Sequence, residues 1–93
     1  MNNLPLISVL MATYNDENTI LSAIKSIQNQ TYKNLELFVL DDASTDNTFE
    51  LLKSAADNDS RIKLLRNAKN MGLTKSLNLL IKSSNGDIIA RHD

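Results

Sequence analysis

Two adjacent carboxylates, Asp41 and Asp42, terminate the apolar run at residues 35–40. In an open α/β sheet, ligands bind outside the carboxyl ends of the strands. Acids at that position can accept from a ring N–H or a ribose hydroxyl, or hold a metal. The plainer alternative is one helix-capping acid beside one solvated acid; Ser44, Thr45 and Asp46 read mainly as turn and cap residues. A second cluster, Ala12-Thr13-Tyr14-Asn15, ends the apolar run at residues 6–12. Tyr14 could stack on a flat base, and Asn15 could bond a ligand or the loop backbone. Alternatively, this is a turn whose Asn caps the next helix. Complementary polar groups at two neighbouring strand ends favour the ligand-binding reading for both. The third cluster is Asn70-x-Gly72-x-x-Lys75, where a glycine permits close backbone approach and a lysine can meet a phosphate. Asp93 ends a further apolar run, and such an acid could contact ribose or a metal held by a diphosphate. His92 is the single histidine and reads as structural or solvated rather than as a metal ligand.

The elements that must position these groups alternate. Residues 6–12 are short, apolar and rich in β-strand formers, which predicts a strand buried on both faces. Ile20, Ile24 and Ile27 then share one helical face over 18–28, with Asn15, Asp16 or Asn18 as its cap. Residues 35–40 predict the second strand. Asn47 and Glu50 have the spacing of a capping box before a helix that ends near 57–60. Residues 62–65 predict a third strand and 66–71 a polar loop. Leu73, Leu77, Leu80 and Ile81 predict a helix stopped by Asn85-Gly86. A fourth strand is expected over 87–90. Strand–helix units recurring about every 25 to 30 residues imply parallel pairing with right-handed crossovers. The expected fold is α/β, a Rossmann-like three-layer α/β/α arrangement around a mostly parallel sheet of about four strands.

Composition narrows the function. The 93 residues make one small domain or part of a larger one. A net charge of -1 provides no electrostatic case for nucleic acid or an anionic membrane. Without cysteine there is no disulfide framework, thiolate metal site or thiol nucleophile. No apolar run approaches the roughly 20 residues needed to span a bilayer, and the first residues do not form a signal peptide.

Taken in order, residues 7–15, 26–32, 36–46, Asn70-Met71-Gly72 and 86–93 resemble the start of a family 2 glycosyltransferase. The resemblance covers almost the whole chain. It implies part of a GT-A fold, with a nucleotide-sugar-binding half followed by an acceptor-binding half. It implies transfer of a sugar from a nucleotide-diphosphate donor, usually UDP-linked, with Mg²⁺ or Mn²⁺, in glycan or polysaccharide synthesis. Carried over by position, Ala12 and Tyr14 border the base, and Thr13 and Asn15 lie within the same motif. Asp42 accepts from uracil with Asp41 beside it. Asn70, Gly72 and Lys75 form the nearby loop and helix start. Asp93 is the first acid of the Asp-x-Asp motif and a weak metal-ligand assignment. Many members carry proline where Ala12 stands.

The resemblance also implies that residues 1–93 are the N-terminal nucleotide-binding part of a longer domain, cut at the start of Asp-x-Asp. The metal-binding acid, general base and acceptor pocket are then expected beyond Asp93. The 93 residues are expected to bind UDP weakly, to need no cofactor, to catalyse nothing and to self-associate through uncovered surface. The acceptor is open, and the location is cytoplasmic or peripheral to a membrane. A dinucleotide dehydrogenase would want Gly-x-Gly-x-x-Gly after the first strand, and only Gly72 and Gly86 are present. A phosphoacceptor receiver domain would carry its paired acids after the first strand rather than the second. A small non-enzymatic α/β interaction module is the remaining alternative.

Overall fold

The computed structural model describes residues 4–86 and 88–91, with the backbone alone described for 88–91. The elements run β1 (Ile7–Thr13), α1 (Ile20–Gln28), β2 (Leu35–Asp41), α2 (Thr48–Asn58), β3 (Ile62–Arg66), α3 (Leu73–Ser83) and β4 (Ile88–Arg91). The four strands form one parallel sheet in the order β3-β2-β1-β4. This is the three-layer α/β/α arrangement anticipated from the alternation.

Alternation along the strands divides the core in two. Met11, Leu37, Val39 and Ile62 pack with Ile20, Ile24 and Ile27 of α1 and Leu52 of α2. On the opposite face, Leu10, Phe38 and Leu40 pack with Leu80 of α3. All seven residues of β2 are buried, because it is interior to the sheet and covered on both faces. Leu10, Val39, Leu52 and Leu80 are fully buried, each stabilising the fold by about 1.5–3 kcal/mol relative to an exposed side chain.

The helix starts differ from the expected caps. No side chain caps α1; Thr19 and Ile20 amides donate to the Asp16 carbonyl at 3.0 and 2.9 Å. The capping box of Asn47 and Glu50 does not form. Asn47 has φ -84 and ψ 8, outside the extended region that lets a cap side chain fold back. The preceding Asp46 serves instead, its Oδ1 accepting from Thr48 N at 2.9 Å.

Asn85-Gly86 acts differently from the expected helix stop. Helix α3 already ends at Ser83, with Ser84 extended. A Cβ on Gly86 would lie 2.3 Å from Ser8 Oγ and 2.6 Å from Ser8 N, so the glycine permits close approach to β1. There Gly86 N donates to Ser8 Oγ at 2.7 Å, and Asn85 N donates to the buried Glu36 carboxylate at 3.0 Å. These bonds deliver the chain into β4, at the amino ends of the strands.

Candidate functional site

Of the predicted site residues, Ala12, Thr13, Tyr14, Asn15, Asp41 and Asp42 gather at the carboxyl ends of β1 and β2, and Asn70 and Gly72 are bonded to Asp42. Parallel register sets Ala12 beside Leu40 and Thr13 beside Asp41. One bond closes the edge: Asp42 N donates to the Thr13 carbonyl at 2.8 Å. Beyond it, each strand turns into a loop through a left-handed residue, Asn15 at φ 52 and Ala43 at φ 61.

The two carboxylates are both buried, and each is occupied by protein donors. Asp41 Oδ1 accepts from Ser44 Oγ at 2.5 Å, and its Oδ2 accepts from Ser44 N at 3.1 Å. Arg66 Nε lies 3.4 Å from the same Oδ2. The Arg66 guanidinium also stacks 4.2 Å from the centre of the Phe49 ring. Asp42 faces the segment before α3. Its Oδ1 accepts from Asn67 Nδ2 at 2.9 Å and Met71 N at 2.8 Å, and its Oδ2 accepts from Gly72 N at 2.9 Å. Asn70 Nδ2 donates to the Asp42 carbonyl at 3.3 Å. Burial disfavours the charged form of Asp42. The donors from Asn67, Met71, Gly72 and Ser76 outweigh it, and its pKa falls below the ordinary 3.8.

Tyr14 is 39% exposed, and its hydroxyl has no hydrogen-bond partner among the described residues. Thr13 is buried, its hydroxyl donating to Asp16 Oδ2. Asn15 turns toward the second loop: its amide donates to Ser44 Oγ at 2.9 Å and its Oδ1 accepts from Thr45 N at 2.8 Å. Ala12, Thr13 and Asp16 line a cleft of about 210 Å³ between β1 and α1. Gly72 has φ 91 and nothing within 4 Å of where a Cβ would stand, so its backbone is open to a ligand. Lys75, in the first turn of α3, is exposed and forms no ion pair among the described residues. Asp93 and His92 lie outside the described residues.

Asn67, Arg66 and Ser76 were not singled out from the sequence. Asn67 Nδ2 bridges Asp42 Oδ1 and Ser76 Oγ, the latter at 3.0 Å. The available signal was a polar pair, Arg66-Asn67, at the end of the third apolar run. Among the described residues no three His, Cys, Asp or Glu side chains cluster to hold a metal. These residues therefore do not supply the donor set for Mg²⁺ or Mn²⁺.

The glycosyl transferase family 2 profile matches residues 8–93. EpsE of Bacillus subtilis (strain 168), a glycosyltransferase by name, is 48% identical over all of this chain and 34% of its own length. The Escherichia coli UDP-Glc:alpha-D-GlcNAc-diphosphoundecaprenol beta-1,3-glucosyltransferase WfgD is 45% identical over 91% of this chain and 33% of its own. The chain thus spans about a third of the length of these curated relatives. Among solved structures, S. aureus TarS in complex with UDP superposes with a TM-score of 0.86 at 29% identity, over 94% of this chain and 26% of that one. The mannosyltransferase PcManGT from Pyrobaculum calidifontis, in complex with GDP-Man and Mn²⁺, gives 0.84 at 28% identity, over 91% of this chain and 26% of that one. The parallel sheet, its GT-A neighbours and the matched profile agree: the chain belongs to glycosyl transferase family 2.

Proposed function

We propose that these residues form the nucleoside-recognising part of an enzyme that transfers a sugar from a UDP-linked donor to a glycan or lipid-linked acceptor. The supporting observation is the assembled carboxyl edge, with an exposed Tyr14 ring beside a buried, bonded Asp42 and an open Gly72 backbone. Tyr14 stacks on the base, and Ala12 and Thr13 border it. Asp42 holds 70–72 in place, and the acceptor capacity left on its Oδ2 is offered to a ring N–H. Lys75 and the start of α3 favour the negative diphosphate. UDP is favoured by the UDP-Glc donor in WfgD's name and the UDP bound to TarS. A divalent cation, Mg²⁺ or Mn²⁺, would stabilise the departing diphosphate in the whole enzyme, with Asp93 as a neighbour of its ligands.

Residues 1–93 form the donor-binding part of a longer domain and do not turn over alone. Transfer also needs a base for the acceptor's proton, a role that falls outside these residues. The whole enzyme is cytoplasmic and works at the membrane periphery when its acceptor is lipid-linked. Among the described residues no helix is long and apolar enough to cross a membrane.

Calorimetric titration of the chain with UDP and GDP tests the reading. UDP should bind the more tightly. Tyr14→Ala should weaken it by roughly 5- to 150-fold, since base–aromatic stacking is worth about 1–3 kcal/mol. Absence of UDP binding, an unchanged affinity in the variant, or sugar transfer by the isolated chain would contradict it.

A further inference from the structure

We infer that Asn15 is a positioning residue that joins the loops after β1 and β2 into one preformed receptor, and that nucleoside affinity depends on its side-chain acceptor. The inference rests on the donor-binding reading above.

Asn15 occupies the left-handed region, φ 52, which Asn tolerates better than most residues. That backbone accompanies bonds to three successive residues of the other loop. Its amide donates to Ser44 Oγ at 2.9 Å. Its Oδ1 accepts from Thr45 N at 2.8 Å and from Asp46 N at 3.4 Å. Its Nδ2 lies 3.3 Å from Thr45 Oγ1. The loops meet again beyond it, where Asp16 N donates to Thr48 Oγ1 at 2.8 Å and Glu17 N to Asp46 Oδ2 at 3.3 Å.

Tyr14 stands between two of these attachments. On one side, Thr13 accepts from Asp42 N; on the other, Asn15 grips 44–46. The Tyr14 ring makes no hydrogen bond among the described residues, so its place is set by the backbone on either side, where Asn15 acts together with the Asp16 carboxylate, which accepts from Tyr14 N at 3.4 Å. Ser44 extends the linkage to the Asp41 carboxylate. A ligand entering such an edge meets groups already ordered, which reduces the entropic cost of binding.

Three substitutions separate backbone from acceptor. Asn15→Gly keeps the left-handed conformation and loses the acceptor. Asn15→Ala loses the acceptor and strains the backbone. Asn15→Asp keeps both the acceptor and a tolerable conformation. UDP titration should show affinity reduced roughly three- to tenfold in Asn15→Gly, the equivalent of one hydrogen bond. Asn15→Ala should be at least as weak, and Asn15→Asp should recover most of the loss. In the ligand-free chain, amide exchange at Thr45 should quicken in Asn15→Gly and slow again in Asn15→Asp. If wild type binds UDP and all three variants bind it equally, the inference is overturned and the donor reading stands. Equal weakening in all three, with no recovery by Asp, overturns the acceptor's role. If wild type does not bind UDP, the donor reading falls and takes this inference with it.

Discussion

Replacing Asp42 with Asn changes almost no volume but inverts one hydrogen bond. The native carboxylate accepts from Asn67 Nδ2 and Met71 N on one oxygen and from Gly72 N on the other. An amide can keep one oxygen for the first two donors. Its NH₂ then faces the Gly72 N–H, donor against donor. Bonds to charged groups net about 1.5–3 kcal/mol each, and neutral ones about 0.5–1.5. Losing one bond and the charge on two others costs about 3.5–6 kcal/mol on these figures, and the cheaper burial of a neutral amide offsets part of it, so the chain should be destabilised by about 2–4 kcal/mol, a large share of the roughly 5–15 kcal/mol typical of a domain. Urea unfolding followed by circular dichroism should show the midpoint fall by about 1–2 M without a change in slope. The loss should also depend on pH. Because the fold lowers the Asp42 pKa below 3.8, its contribution is present above that value and fades as pH falls through the lower, folded one. The variant should lack this dependence. An unchanged midpoint combined with weakened UDP binding would refute the anchoring role and make Asp42 a base contact alone.

Ala43 at φ 61 carries left-handed strain of about 1–2 kcal/mol. Ala43→Gly relieves it, less the greater freedom glycine has when unfolded, so the urea midpoint should rise by about 0.5–1 kcal/mol equivalent; a fall would refute the strain. Hydrogen bonds from Arg61 hold the Asp59 pKa at about 2 against the usual 3.8. The pair's stabilisation, at most about 2.5 kcal/mol before screening at the partly exposed Arg61, is present above pH 4 and lost towards pH 2. Asp59→Asn should therefore be less stable than wild type at pH 7 and match it near pH 2, and an equal gap at both would rule this out. Leu73, Leu79 and Ile81 expose apolar surface on α3, so the isolated chain should self-associate, and a sedimentation mass that stays monomeric at every concentration would count against this.

Much of the architecture was legible because it depends on local periodicity. The runs at 6–12, 35–40 and 62–65 became β1, β2 and β3, each with its end moved by a residue at most. The Ile20, Ile24 and Ile27 face became the buried face of α1. Caps were less legible, because Asn, Asp and Thr compete within three or four residues and the backbone angle chooses among them. Asp46, read as a general turn and cap residue, ties the starts of both α1 and α2. Gly86, read as a helix stop, instead makes room for Ser8 of a strand nearly eighty residues earlier.

The sequence by itself determined the alternation of strands and helices, the parallel sheet that follows from it, and the placement of two acids at a strand's carboxyl end. Those features follow from residue spacing over one or two turns of chain. Only the tertiary structure decided what the acids do. The donors to the Asp42 carboxylate come from 25 to 30 residues further along the chain, brought there by the crossover through α2 and β3. Asp41 draws on Ser44 nearby and on Arg66 from the neighbouring strand. A buried carboxylate must be satisfied by whatever the fold brings within about 3 Å, and spacing along the chain does not record that distance.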